Sequence, residues 1–417
     1  MPRAVSIDAM AEALRPGERV YLPGSAGEPT ALLAALAARP ACSRGLRILS
    51  SAVPGINRLA VDELDPDTEV TGLFMQPGLR RAQQEGRFRH LPIAFSAFVE
   101  HVRERVTMDT CVVQVSPPDA AGRCSFGAAV EFTPLVQARS ARSFALLNPN
   151  MPAIPGAQTV AFSALDLVCE VDTALPTYDV GAASASATII AGRIAALVED
   201  GSALQAGLGK IPEMLFALLH DRRGLRLQSG MLADGALALF RAGALDPGFA
   251  HASCVWVGSA ALYRNLADTE GFAVQSCDVT HDVCRLAQAD RFVAVNSALS
   301  VDLFGQANLE HAGGRAVSGV GGAPDFAQAA RLSRGGISVV ALPAAYGAEP
   351  RSRIVPRMAD GVVSLPRQLV DVVITEHGMA DLRGRSVFER AEALIAVAAP
   401  SFHAPLTAEW DRIKQQL

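Results

Sequence analysis

The chain has 417 residues, half of them hydrophobic, with 19% charged residues and a formal net charge of −5 at pH 7. This length is natural for two domains, and the mildly acidic balance does not favour nucleic acid or an anionic membrane surface as a partner. The apolar runs are far shorter than a membrane span, and the N-terminal sequence MPRAVSIDAM has no apolar signal core. We therefore expect a cytoplasmic protein that does not bind membranes.

Helices and strands are predicted to alternate along the chain, as in mostly parallel, buried sheets. The predicted helices are 7–14, 28–38, a stretch within 91–105, and 189–198. The predicted strands are 19–22, 46–50, 69–74, 110–114 and 372–375.

One structural phrase occurs twice in the chain. Residues 20–36 and 203–219 align so that Gly24 falls on Gly207 and Pro29 on Pro212, and each copy is followed by the tetrapeptide Arg-Gly-Leu-Arg. The pattern predicts a strand, a glycine turn, a helix and a second strand in each copy. It therefore favours one α/β domain present in two copies.

The small and polar stretch 172–187 is the expected junction between the two copies. We predict an α/β fold with an N-terminal domain over 1–180, a similar domain over 181–417, and mostly parallel sheets. The active site is expected in the cleft between the domains, because such clefts commonly hold small-molecule sites.

The two glycine turns are the first candidate binding residues. Gly24 and Ser25 follow one predicted strand, and Gly207 and Gly209 follow the other. Glycine lets the backbone approach a ligand with its N–H groups exposed, and a helix N-terminus favours negative charge. A tight strand–helix turn without a ligand explains the same residues equally well, and neither copy has the spacing of a dinucleotide-binding loop.

A second glycine cluster lies at Ser318, Gly319, Gly321 and Gly322. Three glycines among four residues can form a backbone nest that binds an oxyanion or a phosphate. A plain loop is the alternative interpretation.

Two further polar positions lie in apolar surroundings. Asn150 lies in the loop Asn-Pro-Asn-Met-Pro, where two prolines restrict the backbone and would present the amide to a ligand, although a surface turn is as good an explanation. Glu376 ends a predicted strand, and polar groups at the C-terminal end of a parallel strand commonly face a site. A salt-bridged helix start is the alternative for Glu376.

The cysteines and histidines do not predict a metal centre. The seven cysteines are far apart, so the sequence does not predict a disulfide framework. Cys277, His281 and Cys284 would share one face of a helix, but their spacing is not that of a zinc site. We therefore expect no metal.

Several ordered motifs resemble the acetyl-CoA hydrolase/transferase family of class I CoA-transferases, of which 4-hydroxybutyrate CoA-transferase is a member. The motifs that carry the resemblance span nearly the whole chain and lie at 148–152, 197–212, 296–310, 318–336, 352–356 and 372–402.

The resemblance implies two α/β domains of similar fold and an acyl-CoA substrate. In such enzymes a glutamate attacks the thioester, forms an acyl-glutamyl anhydride and then a glutamyl-CoA thioester, and so passes coenzyme A between carboxylic acids. The resemblance assigns the oxyanion and coenzyme A contacts to Gly321, Gly322 and the Gly207–Gly209 turn, with Ser318, Gly319, Gly24 and Ser25 as further coenzyme A contacts. Glu376 matches the acidic position of a family motif. A homo-oligomer, such as a dimer, is also implied.

One departure from the family pattern decides the prediction. The segment 225–235 aligns with the motif that carries the nucleophilic glutamate, yet Gly230 stands at the glutamate position, Gln228 replaces the usual histidine, and Ser300 stands where relatives usually have glutamate. Glycine cannot form an acyl anhydride, and loss of a nucleophile removes most of the rate. We expect the space left at Gly230 to hold a water or part of the substrate.

Other residues could substitute for the missing carboxylate. Ser229 is the neighbour of Gly230, Glu213 lies at the start of the helix after the Gly207 turn, and Cys124 is expected in a turn between strands. Structural roles explain each of them better, and Asp234 is expected to position the loop.

Three functions remain open from the sequence. The first is an enzyme of acyl-CoA or carrier-bound thioesters that avoids the glutamyl intermediate, by hydrolysis, by decarboxylation or C–C chemistry, or by direct acyl transfer. The second is a residual CoA-transferase with a substitute carboxylate. The third is a non-catalytic acyl-CoA-binding protein or an inactive partner subunit.

Overall fold

The chain forms two compact units in a computed structural model that describes residues 1–359 and 361–417. The first unit comprises Met1–Asp179 and Ala250–Thr280, and the second comprises Val180–Phe249 and His281–Leu417.

Serine side chains cap several of the helices. The best example is Ser386, whose side chain accepts a hydrogen bond from the backbone of Glu389 while the Glu389 side chain caps the Ser386 backbone in return. The α-helices in chain order are α1 Ile7–Glu12, α2 Thr30–Ala38, α3 Arg80–Gln84, α4 Phe95–Arg105, α5 Thr133–Gln137, α6 Ala185–Ala195, α7 Lys210–Leu218, α8 Asp234–Arg241, α9 Ala260–Asn265, α10 Cys277–Thr280, α11 Val283–Leu286, α12 Ala323–Leu332, α13 Val387–Ala396 and α14 His403–Lys414.

The central strands are rich in buried β-branched and aliphatic residues, which suits sheets covered on both faces. The strands in chain order are β1 Arg3–Ala4, β2 Arg19–Leu22, β3 Arg47–Ser50, β4 Glu69–Gly72, β5 Phe88–His90, β6 Met108–Val115, β7 Arg123–Ser125, β8 Ser140–Leu147, β9 Thr159–Ala161, β10 Leu167–Glu170, β11 Ala203–Ala206, β12 Arg226–Leu227, β13 Met231–Leu232, β14 His251–Ser253, β15 Val255–Trp256, β16 Phe272–Val274, β17 Phe292–Ser297, β18 Ser300–Asp302, β19 Ala307–Asn308, β20 His311–Ala312, β21 Arg315–Ala316, β22 Ile337–Ala341, β23 Ala345–Tyr346, β24 Arg351–Ser352, β25 Ile354–Val355, β26 Val372–Thr375 and β27 Gly378–Asp381.

The first unit is built on an eight-stranded sheet with the order β1-β10-β8-β6-β2-β3-β4-β5. Neighbouring strands in this sheet pair in parallel, including β2 with β3 through Val20 and Ile48, and β6 with β8 through Val113 and Ala145. Strands β3, β4 and β5 follow on one side of β2, and strands β6, β8 and β10 follow on its other side. The strand order therefore reverses between β2 and β6.

The second unit is built on a six-stranded sheet with the order β12-β11-β17-β22-β26-β27. Its pairs are parallel except for β26 with the edge strand β27. Here the strand order reverses between β11 and β17, so the two sheets share a topological feature. Helices α13 and α14 pack their buried side chains, among them Leu394 and Trp410, into a hydrophobic cluster with Val340 and Val373.

The α/β fold class predicted from the sequence is confirmed. The predicted strands at 19–22 and 372–375 have the observed bounds, and the other predicted strands differ by a few residues. The predicted helix at 189–198 is displaced, because Ser184 caps α6 and starts it earlier, at Ala185.

One segment of the predicted second domain, 181–417, belongs to the first unit in the structure. Residues Ala250–Thr280 pack with the first unit. The backbone N–H of Val130 donates to the carbonyl of Cys254 at 3.0 Å, and that of Trp256 donates to Ala128 at 2.7 Å. These long-range pairings leave no periodic signal in the sequence, so the repeat alone could not reveal them.

Within 1–359 and 361–417, every helix is too short or too polar to cross a membrane.

Candidate functional site

The two predicted glycine turns occupy equivalent places in the two sheets. Gly24 and Ser25 follow the C-terminal end of β2, and Gly207 follows that of β11. Each lies where the strand order of its sheet reverses. In open α/β sheets, ligands commonly bind outside the carboxyl ends of the strands at this switch point.

The first turn is tightly packed. A Cβ added at Gly24 would lie 2.2 Å from the carbonyl oxygen of Ser51, so only glycine fits there. Ser25 is completely buried and has a φ of 50°, in the left-handed region. Its hydroxyl donates to the Glu131 carboxylate, and its backbone N–H donates to the Asn57 side chain at 2.7 Å. The predicted coenzyme A contacts of Gly24 and Ser25 stay predictions.

Glu131 is the centre of this packing, and the sequence analysis missed it. Its carboxylate, buried in the first unit, also accepts from the Ser51 hydroxyl at 2.6 Å and from the Gly24 backbone. Burial raises the pKa of Glu131, while the hydrogen bonds from Ser25 and Ser51 act in the opposite direction. The available signal was an acidic residue within the apolar run 128–136.

The second turn is open. A Cβ added at Gly207 or at Gly209 would have no neighbour within 4 Å. Gly209 has a φ of 122°, which side chains rarely adopt, and it precedes α7 at Lys210. The first N–H groups of α7 have no partners within the helix itself. This turn therefore keeps the geometry of an anion-binding helix start, and its predicted contact with coenzyme A stays a prediction.

Gly230 lies between β12 and β13, next to a buried imidazole. A Cβ added there would lie 3.1 Å from His281 Nε2 and 3.6 Å from the Phe326 ring. His281 is 1% exposed, and its ring lies 4.8 Å from that of Phe326 between centroids. His281 therefore borders the position of a Cβ at residue 230, and the expectation that the space beyond it holds a water or part of the substrate stays a prediction.

The electrostatics of His281 follow from its burial. Desolvation lowers the pKa of its imidazole to about 3, so the ring is neutral near pH 7. A neutral imidazole of such low basicity is a poor replacement for a nucleophilic carboxylate. The idea that Cys277, His281 and Cys284 share one helical face is also wrong, because α10 ends at Thr280 and α11 starts anew at Val283 behind an Asp282 cap.

The loop 318–322 is held from both ends. The N–H groups of Val317 and Ser318 donate to the carbonyl of Glu310 at 2.8 and 3.3 Å. Gly319 is buried, and Gly321 has a φ of 57°, which favours glycine.

Gly322 caps α12 and also faces His281. A Cβ there would lie 2.4 Å from His281 Nε2, so the imidazole lies against both Gly230 and Gly322. We call this arrangement the imidazole cluster: Gly230, His281, Gly322 and Phe326. The oxyanion roles of Gly321 and Gly322 stay predictions.

Glu376 directly follows β26, as predicted from its place after an apolar strand. Its Oε2 accepts the backbone N–H of Ala344 at 2.8 Å, and its Oε1 lies 3.9 Å from Nε2 of His377. Ala344 follows the neighbouring strand β22. The carboxylate is therefore positioned at the C-terminal ends of two adjacent strands. Its catalytic role stays a prediction.

Asn150 lies in the first unit, at a cavity of about 840 Å³ that it lines together with Arg123 and Arg264. Its side-chain amide donates to Asp172 at 2.8 Å and to Asn148 at 3.2 Å. The Asn150 amide thus already has protein partners. Its predicted contact with a ligand is untested.

The substitutes for the missing carboxylate have structural partners. The Ser229 hydroxyl points at the carbonyls of Ala206 and Met231, at 2.9 and 3.0 Å. Cys124 lies in β7, not in a turn, and burial raises the pKa of its thiol to about 11. Glu213 accepts the Gly235 N–H at 3.3 Å, and burial raises its pKa.

The two other departures from the family pattern lie at Gln228 and Ser300. Gln228 is 7% exposed. The Ser300 hydroxyl accepts from the Asn308 side chain at 3.1 Å. Neither residue supplies a carboxylate.

Comparison with known proteins identifies the class. Residues 2–176 match the N-terminal domain, and residues 258–410 the C-terminal domain, of the acetyl-CoA hydrolase/transferase family. The 4-hydroxybutyrate coenzyme A transferase of Clostridium kluyveri is 31% identical over 403 residues, covering 94% of each protein.

Solved structures agree with this match. RipA from Yersinia pestis superposes with a TM-score of 0.91 at 28% identity, covering 99% of this chain and 98% of that one. The 4-hydroxybutyrate CoA-transferase from Porphyromonas gingivalis gives a TM-score of 0.80 at 28% identity, covering 98% and 97%. The chain belongs to the acetyl-CoA hydrolase/transferase family, whose members are enzymes that act on acyl-CoA.

Proposed function

We propose that this chain is an enzyme of acyl-CoA, or carrier-bound acyl, thioesters that transfers the acyl group directly to a bound nucleophile. Water is the simplest such nucleophile and makes the reaction a hydrolysis. No glutamyl anhydride and no glutamyl-CoA thioester form on this route.

The imidazole cluster is the observation that carries the proposal. The resemblance aligns the family's glutamate with Gly230, where there is no side chain. His281 borders this position, with Nε2 3.1 Å from the position of a Cβ. A carboxylate at this position would need His281 to move. The cluster therefore supports a route that does not depend on a residue 230 nucleophile.

The chemistry of the proposed route is a single displacement. The oxygen of the nucleophile attacks the thioester carbonyl carbon, and the carbonyl oxygen becomes an oxyanion. Backbone N–H groups of the Gly207–Gly209 turn or of the 318–322 loop would stabilise that charge, a contribution of about 3–4 kcal/mol per donor in known enzymes. The C–S bond then breaks, and the coenzyme A thiolate takes up the proton released by the nucleophile.

A second candidate is a non-catalytic acyl-CoA-binding protein or an inactive partner subunit. The same cluster favours it, because His281, the residue beside Gly230, is buried and neutral and supplies no nucleophilic carboxylate. Residual CoA transfer through a substitute carboxylate has less support, since the Glu213 carboxyl accepts the Gly235 N–H and burial raises its pKa.

The first experiment is mass spectrometry of the purified protein with acetyl-, succinyl-, malonyl- and branched or unsaturated dicarboxyl-CoAs, with and without acetate. We expect free coenzyme A from at least one thioester, independent of acetate. New acetyl-CoA that appears only with acetate would contradict the proposal. Release of CO₂ would show that the reaction is a decarboxylation and not the proposed displacement. Coenzyme A binding without turnover of any thioester would support the binding protein.

A pair of variants tests the role of the imidazole cluster. Gly230→Glu alone should not give transferase activity, because the new side chain meets His281. Gly230→Glu combined with His281→Ala makes room for the carboxylate and should give acetate-dependent transfer. If the single variant already restores transfer, the imidazole is no obstacle.

We further propose a homo-oligomer in the cytoplasm with no metal cofactor. The support is the family resemblance and the absence of metal-type spacing in the sequence. Size-exclusion chromatography with light scattering and metal analysis of the purified protein test these points.

A further inference from the structure

A depression of about 650 Å³ lies at the amino ends of the strands in the second unit. This volume is within the range of small-molecule pockets, about 300–1,000 Å³. Its wall consists of three glycines, three arginines and two aspartates, most of them at the starts of β11, β12, β17 and β22: Gly201, Gly224, Arg226, Asp246, Asp290, Arg291, Arg334 and Gly335. We call it the amino-edge depression.

The amino-edge depression is separate from the candidate catalytic residues. Gly207 and Glu376 follow the carboxyl ends of β11 and β26, at the opposite edge of the same sheet. The strand Phe292–Ser297 spans the distance between the two edges, roughly 20 Å at about 3.3 Å per residue. A ligand in the depression would therefore leave the carboxyl edge free.

The glycines of the wall allow a close approach of backbone and guanidinium groups. Gly201, Gly224 and Gly335 have φ values of 70°, 67° and 70°, which favour glycine. A Cβ added at Gly224 would lie 3.7 Å from the Cα of Gly201, and one at Gly201 would lie 2.8 Å from Nη2 of Arg291. A ligand there would meet backbone and guanidinium groups at these positions.

The three guanidinium groups converge on Gly201 and Asp290. Nη2 of Arg226 donates to the carbonyl oxygens of Gly201 and Asp290, both at 2.8 Å. Arg334 donates to the carboxylate of the same Asp290. Nη2 of Arg291 lies beside Gly201, at the distance given above. The three cations therefore share one part of the wall.

The positive charge of this wall is only partly compensated. Both acceptors of Arg226 are neutral carbonyl oxygens, so these hydrogen bonds do not cancel its charge. Arg291 lies 3.5 Å from the Glu199 carboxylate, but the Glu199 side chain is 73% exposed, and such pairs are weak. The wall as a whole has three guanidinium groups and two carboxylates. This excess of positive charge favours an anion.

The first unit builds the equivalent strand starts without two of these arginines. Strand β2 pairs with β6 as β11 pairs with β17, and alignment of the two repeats by this register places Asp109 at the position of Arg291. On the next strand, Ser140 stands at the position of Arg334. Asp109 accepts the backbone N–H of Arg19 at 2.8 Å, an interaction within the protein. The shared strand topology therefore does not require the arginines.

We propose that the amino-edge depression binds a diphosphate group, with Arg291 and Arg334 as its main charged contacts. Guanidinium groups donate paired hydrogen bonds to phosphate oxygens, and a diphosphate offers enough oxygens for several of them. Arg291 has a φ of 55°, in a region where residues with side chains cluster at ligand sites. The diphosphate is either inorganic pyrophosphate or part of a nucleotide such as ADP. The inference does not depend on the proposed thioester chemistry.

Isothermal titration calorimetry with pyrophosphate at low ionic strength tests the proposal on the full chain. Wild type should bind one pyrophosphate per chain, more tightly than orthophosphate. Arg291→Gln and Arg334→Gln should each lower the affinity roughly tenfold, because each removes a charge-assisted contact. Asp246→Asn removes a carboxylate from the wall and should raise the affinity. ADP that binds more tightly than pyrophosphate would identify a nucleotide as the source of the diphosphate, and weaker binding of ADP would identify the free anion.

Matched variants separate this site from general charge effects and from the carboxyl edge. Arg315→Gln changes an exposed arginine of the β20–β21 hairpin, outside the depression, and should keep the affinity of the wild type. Gly207→Val alters the turn at the carboxyl edge and should also leave pyrophosphate binding unchanged. Arg291→Lys keeps the charge and should bind more tightly than Arg291→Gln, which distinguishes lost contact from lost fold.

Three results would overturn the proposal. The first is no binding of pyrophosphate to the wild type. The second is an Arg315→Gln variant that loses as much affinity as Arg291→Gln, because binding would then follow net charge alone. The third is wild-type affinity in the double variant Arg291→Gln, Arg334→Gln, which would place the bound pyrophosphate elsewhere.

Discussion

The two glycine turns occupy the same place in two similar sheets, yet one is closed and the other is open. The turn after β2 is packed against Ser51 and supplies hydrogen bonds to the buried Glu131 carboxylate. The turn after β11 has free space beside Gly207 and Gly209. The same motif therefore positions a side chain of the protein itself in one unit, and has open space beside its glycines in the other. A glycine turn alone does not identify a binding site.

The largest predicted effect is a difference in protein stability between a variant of the first turn and a variant of the second. Gly24→Ala places a methyl group 2.2 Å from a backbone oxygen, so we expect a loss of about 3 kcal/mol in the free energy of unfolding. Gly207→Ala meets open space and should change stability by less than about 0.5 kcal/mol. Urea unfolding of both variants beside the wild type measures the difference. Equal losses in the two variants would show that the turns are packed alike.

The next effect concerns the carboxylate that closes the first turn. Glu131→Ala removes the acceptor of the Ser25 and Ser51 hydroxyls in a buried site, and should destabilise the protein by about 2–3 kcal/mol. Glu131→Gln should cost less, because it keeps an acceptor.

The Gln variant also gives a pH test. The pKa of Glu131 is raised in the folded state, so the contribution of its protonated form is full below the unfolded value of 4.5 and is lost as pH rises. The wild type should therefore lose stability relative to Glu131→Gln between pH 5 and pH 8. A constant difference between the two proteins would contradict the raised pKa. Glu63→Gln is the exposed control.

The burial of His281 beside Gly230 predicts a loss of protein stability at acid pH. His281 has a pKa lowered to about 3, so its contribution to stability is present above its unfolded value of 6.5 and is lost as pH falls. Between pH 7 and pH 5 the wild type should lose about 2 kcal/mol relative to His281→Asn. Thermal melts over this range measure the loss, with the exposed His220→Asn as control. If His281→Asn keeps the full acid sensitivity, the imidazole is not buried as described.

The smallest predicted effect is a change in coenzyme A affinity when the second turn is altered. Gly207→Val should leave the fold intact, but its side chain would enter the space beside the N-terminus of α7. We expect coenzyme A affinity to fall about tenfold, roughly 1.4 kcal/mol. Calorimetry measures the affinity. Gly78→Val, at an exposed glycine in the first unit without a positive φ and with open space around its Cβ, controls for a general effect of replacing a glycine. Unchanged affinity would show that the second turn is not part of the coenzyme A site.

The sequence predicted the fold better than the contacts within it. Buried β-branched strands such as 19–22 and 372–375 carry a local signal, and so does the repeated strand–turn–helix unit. The packing of Ala250–Thr280 with the first unit depends on pairings such as Val130 with Cys254, which join residues far apart in the chain. Local periodicity contains no information about such pairings.

The same limit applies to the candidate site. The sequence pointed to Gly230, to the glycine loops and to Glu376 at the end of a strand. It did not reveal that the Glu131 carboxyl accepts hydrogen bonds from the first turn or that His281 lies against Gly230. A buried charge or imidazole is defined by what surrounds it in three dimensions, and one residue in an apolar run gives only a weak hint.

The central claim is that acyl transfer here bypasses a glutamyl intermediate. Isotope exchange tests it most directly: the best thioester substrate is incubated with its own carboxylic acid carrying a ¹⁴C label, with no other acceptor. An enzyme with a glutamyl intermediate moves the label from the acid into the acyl-CoA. We predict cleavage of the thioester with no label in the acyl-CoA. Label that enters the acyl-CoA as fast as the thioester is consumed would contradict the account.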